Sequence, residues 1–218
     1  MKTCCIFDLD GTLINSLDDL ADSCNYALEV LEFPTHDVQS YKHFVGDGIF
    51  TLMERILPEH ERNDINAKSV KKLFDAYYEK HYLDKTRAYA GIPELIRLLW
   101  EKDIRTAVVS NKPDEFVQRI VSQLFTDIPF DLVIGQSKAI PKKPDPTGVN
   151  QVLERLSVPK EECLYIGDSD VDVQTAQNAG IRCIGAAWGF RGEEELRNAG
   201  ADAVVMHPMD VLELLGHE

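Results

Sequence analysis

Six short apolar runs, most of them rich in β-branched residues, set the strongest constraint on how this chain folds. They are CCIFDLD (4–10), IRTAVVSN (104–111), FDLVIGQ (130–136), ECLYIGDSD (162–170), GIRCIGAAWG (180–189) and ADAVVMHP (201–208). Amphipathic segments lie between them, such as IPELIRLLWEK (92–102), PDEFVQRIVSQLF (113–125) and VQTAQNAG (173–180). Strands that alternate with helices predict an α/β fold with a doubly wound parallel sheet covered on both faces. Ligands in such a sheet sit beyond the carboxyl ends of its strands. Four of the runs pass there directly into polar residues: FDLDGT, VSNKP, IGQSKAIPKKP and IGDSDVD.

The interval after the first run breaks this rhythm. A crossover needs about a dozen residues, yet roughly 90 separate Asp10 from Ile104. That stretch carries helical patterns and little strand signal, in SLDDLADSCNYALEVLEF, GIFTLMERIL and INAKSVKKLFDAYYEKHYL. Three or four helices suffice for a small bundle. The expectation is a helical domain of residues 16–85 inserted after the first strand, with linkers near Asn15–Ser16 and Lys85–Tyr89. Residues 1–15 and 86–218 then form the sheet domain.

Charge narrows the partners. The 218 residues include 23 Lys and Arg against 37 Asp and Glu, a formal net charge of -14. Such a surface repels nucleic-acid backbones and anionic membranes alike. An anionic small molecule would need local positive potential from a metal, a lysine or a helix N-terminus. The five cysteines (Cys4, Cys5, Cys24, Cys163, Cys183) form no C-x-x-C pair and read as buried free thiols of a reducing compartment. No stretch approaches the roughly 18 apolar residues of a membrane span, and the first apolar run is too short for a signal peptide. A cytoplasmic protein is expected. Nothing in the sequence decides between monomer and homodimer.

The polar strand ends carry the chemistry. In a strand, residues i and i+2 face the same way, so Asp8 and Asp10 would present two carboxylates together. A turn with a helix cap is the plainer explanation, and an EF-hand loop fails because Leu13 stands where glycine is required. Ser110, at the end of the second run, suits either phosphate binding or helix capping, as does Asn111. Lys143 is held between prolines in PKKPDP, so a fixed positive charge competes with an ordinary solvated lysine. In GDSDVD, Asp168 falls at a strand tip, Asp170 in the turn and Asp172 one helical turn on; capping or solvent is assigned to Asp170. Converging carboxylates repel by roughly 4 kcal/mol per pair at 4 Å and an effective dielectric of 20. A divalent cation with oxygen ligands removes that cost.

FDLDGTL, VVSN, the lysine of KKP and GDSDVD, in this order, resemble the four motifs of the haloacid dehalogenase superfamily over essentially the whole chain. The resemblance implies a Rossmann-like core with an α-helical cap inserted after the first strand. It implies that Asp8 attacks phosphorus to form an aspartyl-phosphate, while Asp10 protonates the leaving alcohol and later takes a proton from water. Ser110, Asn111 and Lys143 would bind the phosphoryl group. Mg²⁺ would be held by Asp8, the main-chain carbonyl of Asp10, Asp168 and Asp172, the last directly or through water. True dehalogenases lack the second aspartate, so Asp10 favours a phosphatase. Within the superfamily the chain is most similar to phosphoglycolate phosphatases, in YKHFVGDGIFTLMERIL (41–57), AVVSNKPDEFV (107–117), KKPDPTGVNQVLERL (143–156) and YIGDSDVDVQTAQNAG (165–180). Asn15 replaces a usual Asp, and Ala90 a usual Pro. Substrate choice would fall to the cap, with Lys42, His43, Gly46, Asp47 and Gly48 as candidates; a helix–helix turn is their plainer reading. Pyrophosphate, sugar phosphates, nucleotides and phosphoglucomutase chemistry are the alternatives inside the superfamily. A phosphoaspartate switch or an idle Mg²⁺- or phosphate-binding scaffold are those outside it.

Overall fold

The first apolar run folds as strand β1 (Cys4–Phe7), and all four of its residues are buried. It lies inside a six-stranded parallel sheet of order β5-β4-β1-β6-β7-β8. The partners are β4 (Arg105–Pro113), β5 (Leu132–Gln136), β6 (Cys163–Gly167), β7 (Arg182–Ala186) and β8 (Ala203–Val205). A computed structural model describes residues 2–216. The chain leaves β1 toward β4 and β5, then returns to β6 and runs outward through β7 and β8. The order therefore reverses between β1 and β6, where a parallel sheet opens a crevice at its carboxyl end.

Alternating residues of the strands feed opposite faces, which explains their unbroken apolar character. Cys4 and Ile6 join Val109, Ile134, Tyr165 and Cys183 in one buried cluster. Helix α5 (Ile92–Glu101) turns Ile92, Leu95, Ile96 and Leu99 inward, a stripe of three- and four-residue steps. Helix α6 (Asp114–Leu124) does the same with Phe116, Val117, Ile120 and Val121. Helices α7 (Thr147–Leu156), α8 (Asp170–Ala179) and α9 (Glu193–Ala199) complete this unit. All five cysteines are buried and unbridged. Among the described residues, no helix is long and apolar enough to cross a membrane.

The chain divides into two compact units, Met1–Ile14 with Ala88–Glu218, and Asn15–Arg87. Two short strands, β2 (Ile14–Asn15) and β3 (Arg87–Ala88), form a separate two-stranded sheet. The second unit is helical: α1 (Leu17–Val30), α2 (Tyr41–Phe44), α3 (Ile49–Ile56) and α4 (Asp64–His81). Leu20, Cys24, Ala27 and Leu28 of α1 are buried, as are Val70, Phe74 and Tyr78 of α4, on which α1 packs.

One polar group is buried in the first turn of α1. Asp19 is 2% exposed. It accepts the main-chain N–H of Lys85 (3.0 and 3.1 Å) and of Thr86 (2.8 Å), and the Thr86 hydroxyl (2.6 Å). Truncation would strand two buried donors, so Asp19→Ala is expected to lower stability by about 3 kcal/mol. The midpoint of urea unfolding reads this directly, and an unchanged midpoint would contradict it.

Candidate active site

Asp8 and Asp10 do not share a strand face as expected. β1 ends at Phe7, and Asp8 extends the ladder only through its N–H, which donates to the Ile166 carbonyl (2.9 Å). The chain then wraps around the Leu9 carbonyl, which accepts the N–H groups of Thr12 (3.3 Å), Leu13 (3.0 Å) and Ile14 (3.0 Å). Asp10 therefore sits in a turn, bridged to Ile14. The turn needs Gly11, whose φ is +86° and whose position would set any Cβ 2.3 Å from the Asp168 carboxylate. That close approach brings the first and fourth motifs together.

Lys143 is the hub. Its Nζ lies 2.8 Å from Asp8 Oδ1, 2.7 Å from Asp172 Oδ1 and 3.1 Å from the Tyr165 hydroxyl. The Tyr165 hydroxyl also contacts Asp172 Oδ1 (3.2 Å) and the Val109 carbonyl (3.1 Å). Burial penalises the ammonium charge, yet Asp172 and Asp8 carry Lys143 well above the ordinary lysine value. Asn111 holds the Lys143 main chain at two points: its Oδ1 accepts the N–H (2.6 Å) and its Nδ2 donates to the carbonyl (3.3 Å). The Asn111 side chain thereby places Lys143.

The second run also continues further than expected. β4 does not stop at Ser110 but reaches Pro113, with an irregularity where four steps on β4 match two on β5 between Val109 and Pro113. Ser110, Asn111 and Lys112 occupy that stretch, which re-aims their side chains. Ser110 is buried and its Oγ accepts the Lys112 N–H (3.2 Å), so it does not cap α6. Lys112, directly after the VVSN motif, places Nζ 3.1 and 3.2 Å from the two oxygens of Asp10.

The acids of the fourth motif take different places. Asp170 opens α8 half-buried, whereas Asp172 closes the capping box, with Oδ2 accepting the Ser169 N–H (3.1 Å) and hydroxyl (2.7 Å). Asp168 accepts the Thr12 hydroxyl (3.2 Å) and the Phe190 N–H (2.8 Å). Asp8, Asp168 and Asp172 each offer an oxygen within 4.8 Å of the others, all three residues buried. Burial raises Asp8 to about 7, with Lys143 opposing and Asp172 and Asp10 adding to the rise. Burial, then Asp172 and Asp8, hold Asp168 well above the usual carboxylate range. Three crowded carboxylates of this kind are a hard-oxygen donor set that a small divalent cation fits.

The remaining candidates belong to the helical unit. Lys42 and His43 lie in the last turn of α2. Gly46 (φ +125°) and Gly48 (φ +86°) turn the chain into α3, which is the plainer reading of that loop. Asp47, in the same loop, pairs its carboxylate with Arg55 at 2.6 Å.

Residues 5–186 match the family model of the haloacid dehalogenase-like hydrolases. A phosphoglycolate phosphatase of Pseudomonas putida is 36% identical over 190 residues, covering 85% of this chain and 69% of its own. That of Colwellia psychrerythraea is 33% identical over 204 residues, covering 91% and 90%. A Lactobacillus delbrueckii protein of known crystal structure, named a phosphoglycolate phosphatase by inference, superposes with a TM-score of 0.95 at 33% identity over 100% of both chains.

Proposed function

The chain belongs to the haloacid dehalogenase-like hydrolases and is a phosphatase of that family, and we propose that it hydrolyses 2-phosphoglycolate to glycolate and phosphate through an aspartyl-phosphate on Asp8. The observation that carries this is the pairing of two buried lysines with converging aspartates at the reversal point of the sheet. The likeness to the phosphoglycolate phosphatases of Pseudomonas putida and Colwellia psychrerythraea supports the substrate.

The two contacts on the Asp8 carboxylate, from Lys143 and from the Leu9 N–H (2.7 Å), both fall on Oδ1. Oδ2 is the oxygen that attacks phosphorus in line. Lys143 and Ser110 hold the phosphoryl oxygens and neutralise charge developing there. Asp10 delivers a proton to the departing alkoxide and takes one from the water that releases phosphate, so one hard step becomes two. Mg²⁺ is the proposed cofactor; Asp8, the Asp10 carbonyl, Asp168 and Asp172, the last directly or through water, would hold it, and it would supply charge neutralisation for the phosphoryl group. Residues 16–85 are proposed as a cap, with Lys42, His43 and the main chain at Gly46 and Gly48 setting substrate choice. A small phosphorylated metabolite is the partner, and the cytoplasm the setting.

The test is phosphate release with Mg²⁺ or with EDTA, from 2-phosphoglycolate, pyrophosphate, glucose 1-phosphate, a nucleoside monophosphate and an aryl phosphate. Metal-dependent turnover led by 2-phosphoglycolate is expected. Another leader would overturn the substrate, and no turnover of any compound the reaction.

Metal and pH are coupled through Asp8. In the unfolded chain its carboxyl titrates at about 3.9, and burial in the fold pushes it up to about 7. Between those values the folded state binds more protons, so metal-free stability falls as pH rises through the window. Ionised carboxylates are also what the cation binds. The rise in melting temperature on adding Mg²⁺ is therefore expected to be larger at pH 8 than at pH 5. An equal rise at both would contradict the assignment of Asp8 to the metal.

A further inference from the structure

We propose that Lys112 is a positioning residue for the second half of the reaction, holding the Asp10 carboxylate as acceptor of the proton that leaves the attacking water. The inference rests on the phosphatase reading above, with Asp8 as the phosphorylated group. Lys112 and Lys143 are the two buried lysines among the described residues. Lys143 serves Asp8 and Asp172, whereas Lys112 meets both oxygens of Asp10 with one ammonium, at 3.1 and 3.2 Å. The side chains of this pair are 5% and 13% exposed, so little water shares the contact.

One donor that touches both oxygens fixes the rotation of the carboxylate plane. Lys112 is itself pinned: its main-chain N–H is held by Ser110 in the irregular stretch of β4. In the hydrolytic step, water oxygen bonds to phosphorus as the bond from phosphorus to the Asp8 oxygen breaks. That electron pair returns to the Asp8 carboxylate, the water proton passes to Asp10, and inorganic phosphate departs. Formation of the intermediate from a good leaving group needs no proton and so does not call on the pair.

The test is Lys112→Met with p-nitrophenyl phosphate as probe, in steady state and in the first turnover. If only breakdown of the intermediate slows, kcat and KM fall together by about 10²-fold while kcat/KM stays within about threefold. A burst of nitrophenolate approaching one equivalent per enzyme accompanies this. Lys112→Arg, whose planar fork spans both carboxylate oxygens, is expected to recover kcat to within about tenfold of wild type. A merely structural role would lower kcat and kcat/KM together without a burst, and that result, or an unchanged kcat, would overturn the proposal. If Lys112→Met melts below the assay temperature, Lys112→Gln decides by the same readings. A wild type that releases no nitrophenolate would overturn the underlying reading and this inference with it, whereas turnover without a burst in the variants overturns the inference alone.

Discussion

Asp8→Asn is expected to lose at least about 10⁴-fold in turnover, the scale set by removing a nucleophile from a covalent mechanism. The same variant is expected to melt at or above the wild-type temperature in EDTA. Burial is the largest influence on Asp8 and disfavours its charge, with Asp172 and Asp10 acting in the same direction. A neutral amide of the same shape removes that cost while Lys143 keeps its contact with Asp172. Loss of activity with retained stability separates a reacting group from a structural one. Turnover within tenfold of wild type, at matched melting temperature, would contradict the assignment of Asp8.

Lys143→Met carries the second large effect, and its signs differ. The side chain lies 4% exposed between Asp8 and Asp172, so its removal leaves buried carboxylates without their cation. Breaking a buried pair in this way costs about 3–5 kcal/mol. Turnover is expected to fall about 10³-fold, because charge on the transferring phosphoryl group loses its fixed partner. Mg²⁺ is expected to restore part of the stability and little of the rate, since it neutralises the acids without replacing the ammonium. Lys142→Met, one residue away at an exposed position, is expected to stay within about 0.5 kcal/mol of wild type. Chemical unfolding with and without Mg²⁺, alongside kcat, reads all of these, and equal effects at the two lysines would contradict the role of Lys143.

The fold was legible where one physical rule acted alone. Apolar runs such as CCIF had to be buried on both faces, and the long interval before Ile104 had to hold more than a crossover. Strand ends were less legible, because backbone irregularity overrides pattern there. Ser110 was read as ending a strand, yet β4 runs on to Pro113 and carries Asn111 and Lys112 in its irregular stretch. Asn111 to Lys143 and Lys112 to Asp10 span many residues, and no local period encodes such pairs. Tyr165 occupied a core position of its strand, which concealed that its hydroxyl reaches Lys143 and Asp172. Asp172 closes the capping box as the third helical residue, a signal present in S-D-V-D but outweighed by the reading of paired acids, while Asp170 stays half-buried. Asp19 gave no sign at all, since its partners Lys85 and Thr86 enter from the far end of the helical unit.

The most direct measurement is acid quenching of wild-type enzyme during turnover of 2-phosphoglycolate with Mg²⁺, followed by mass spectrometry of the peptide that contains Asp8. A phosphoryl group on Asp8, absent without Mg²⁺ and enriched in Lys112→Met, is the predicted result. A fully active enzyme whose Asp8 peptide never carries phosphate, while another residue does, would contradict the central claim.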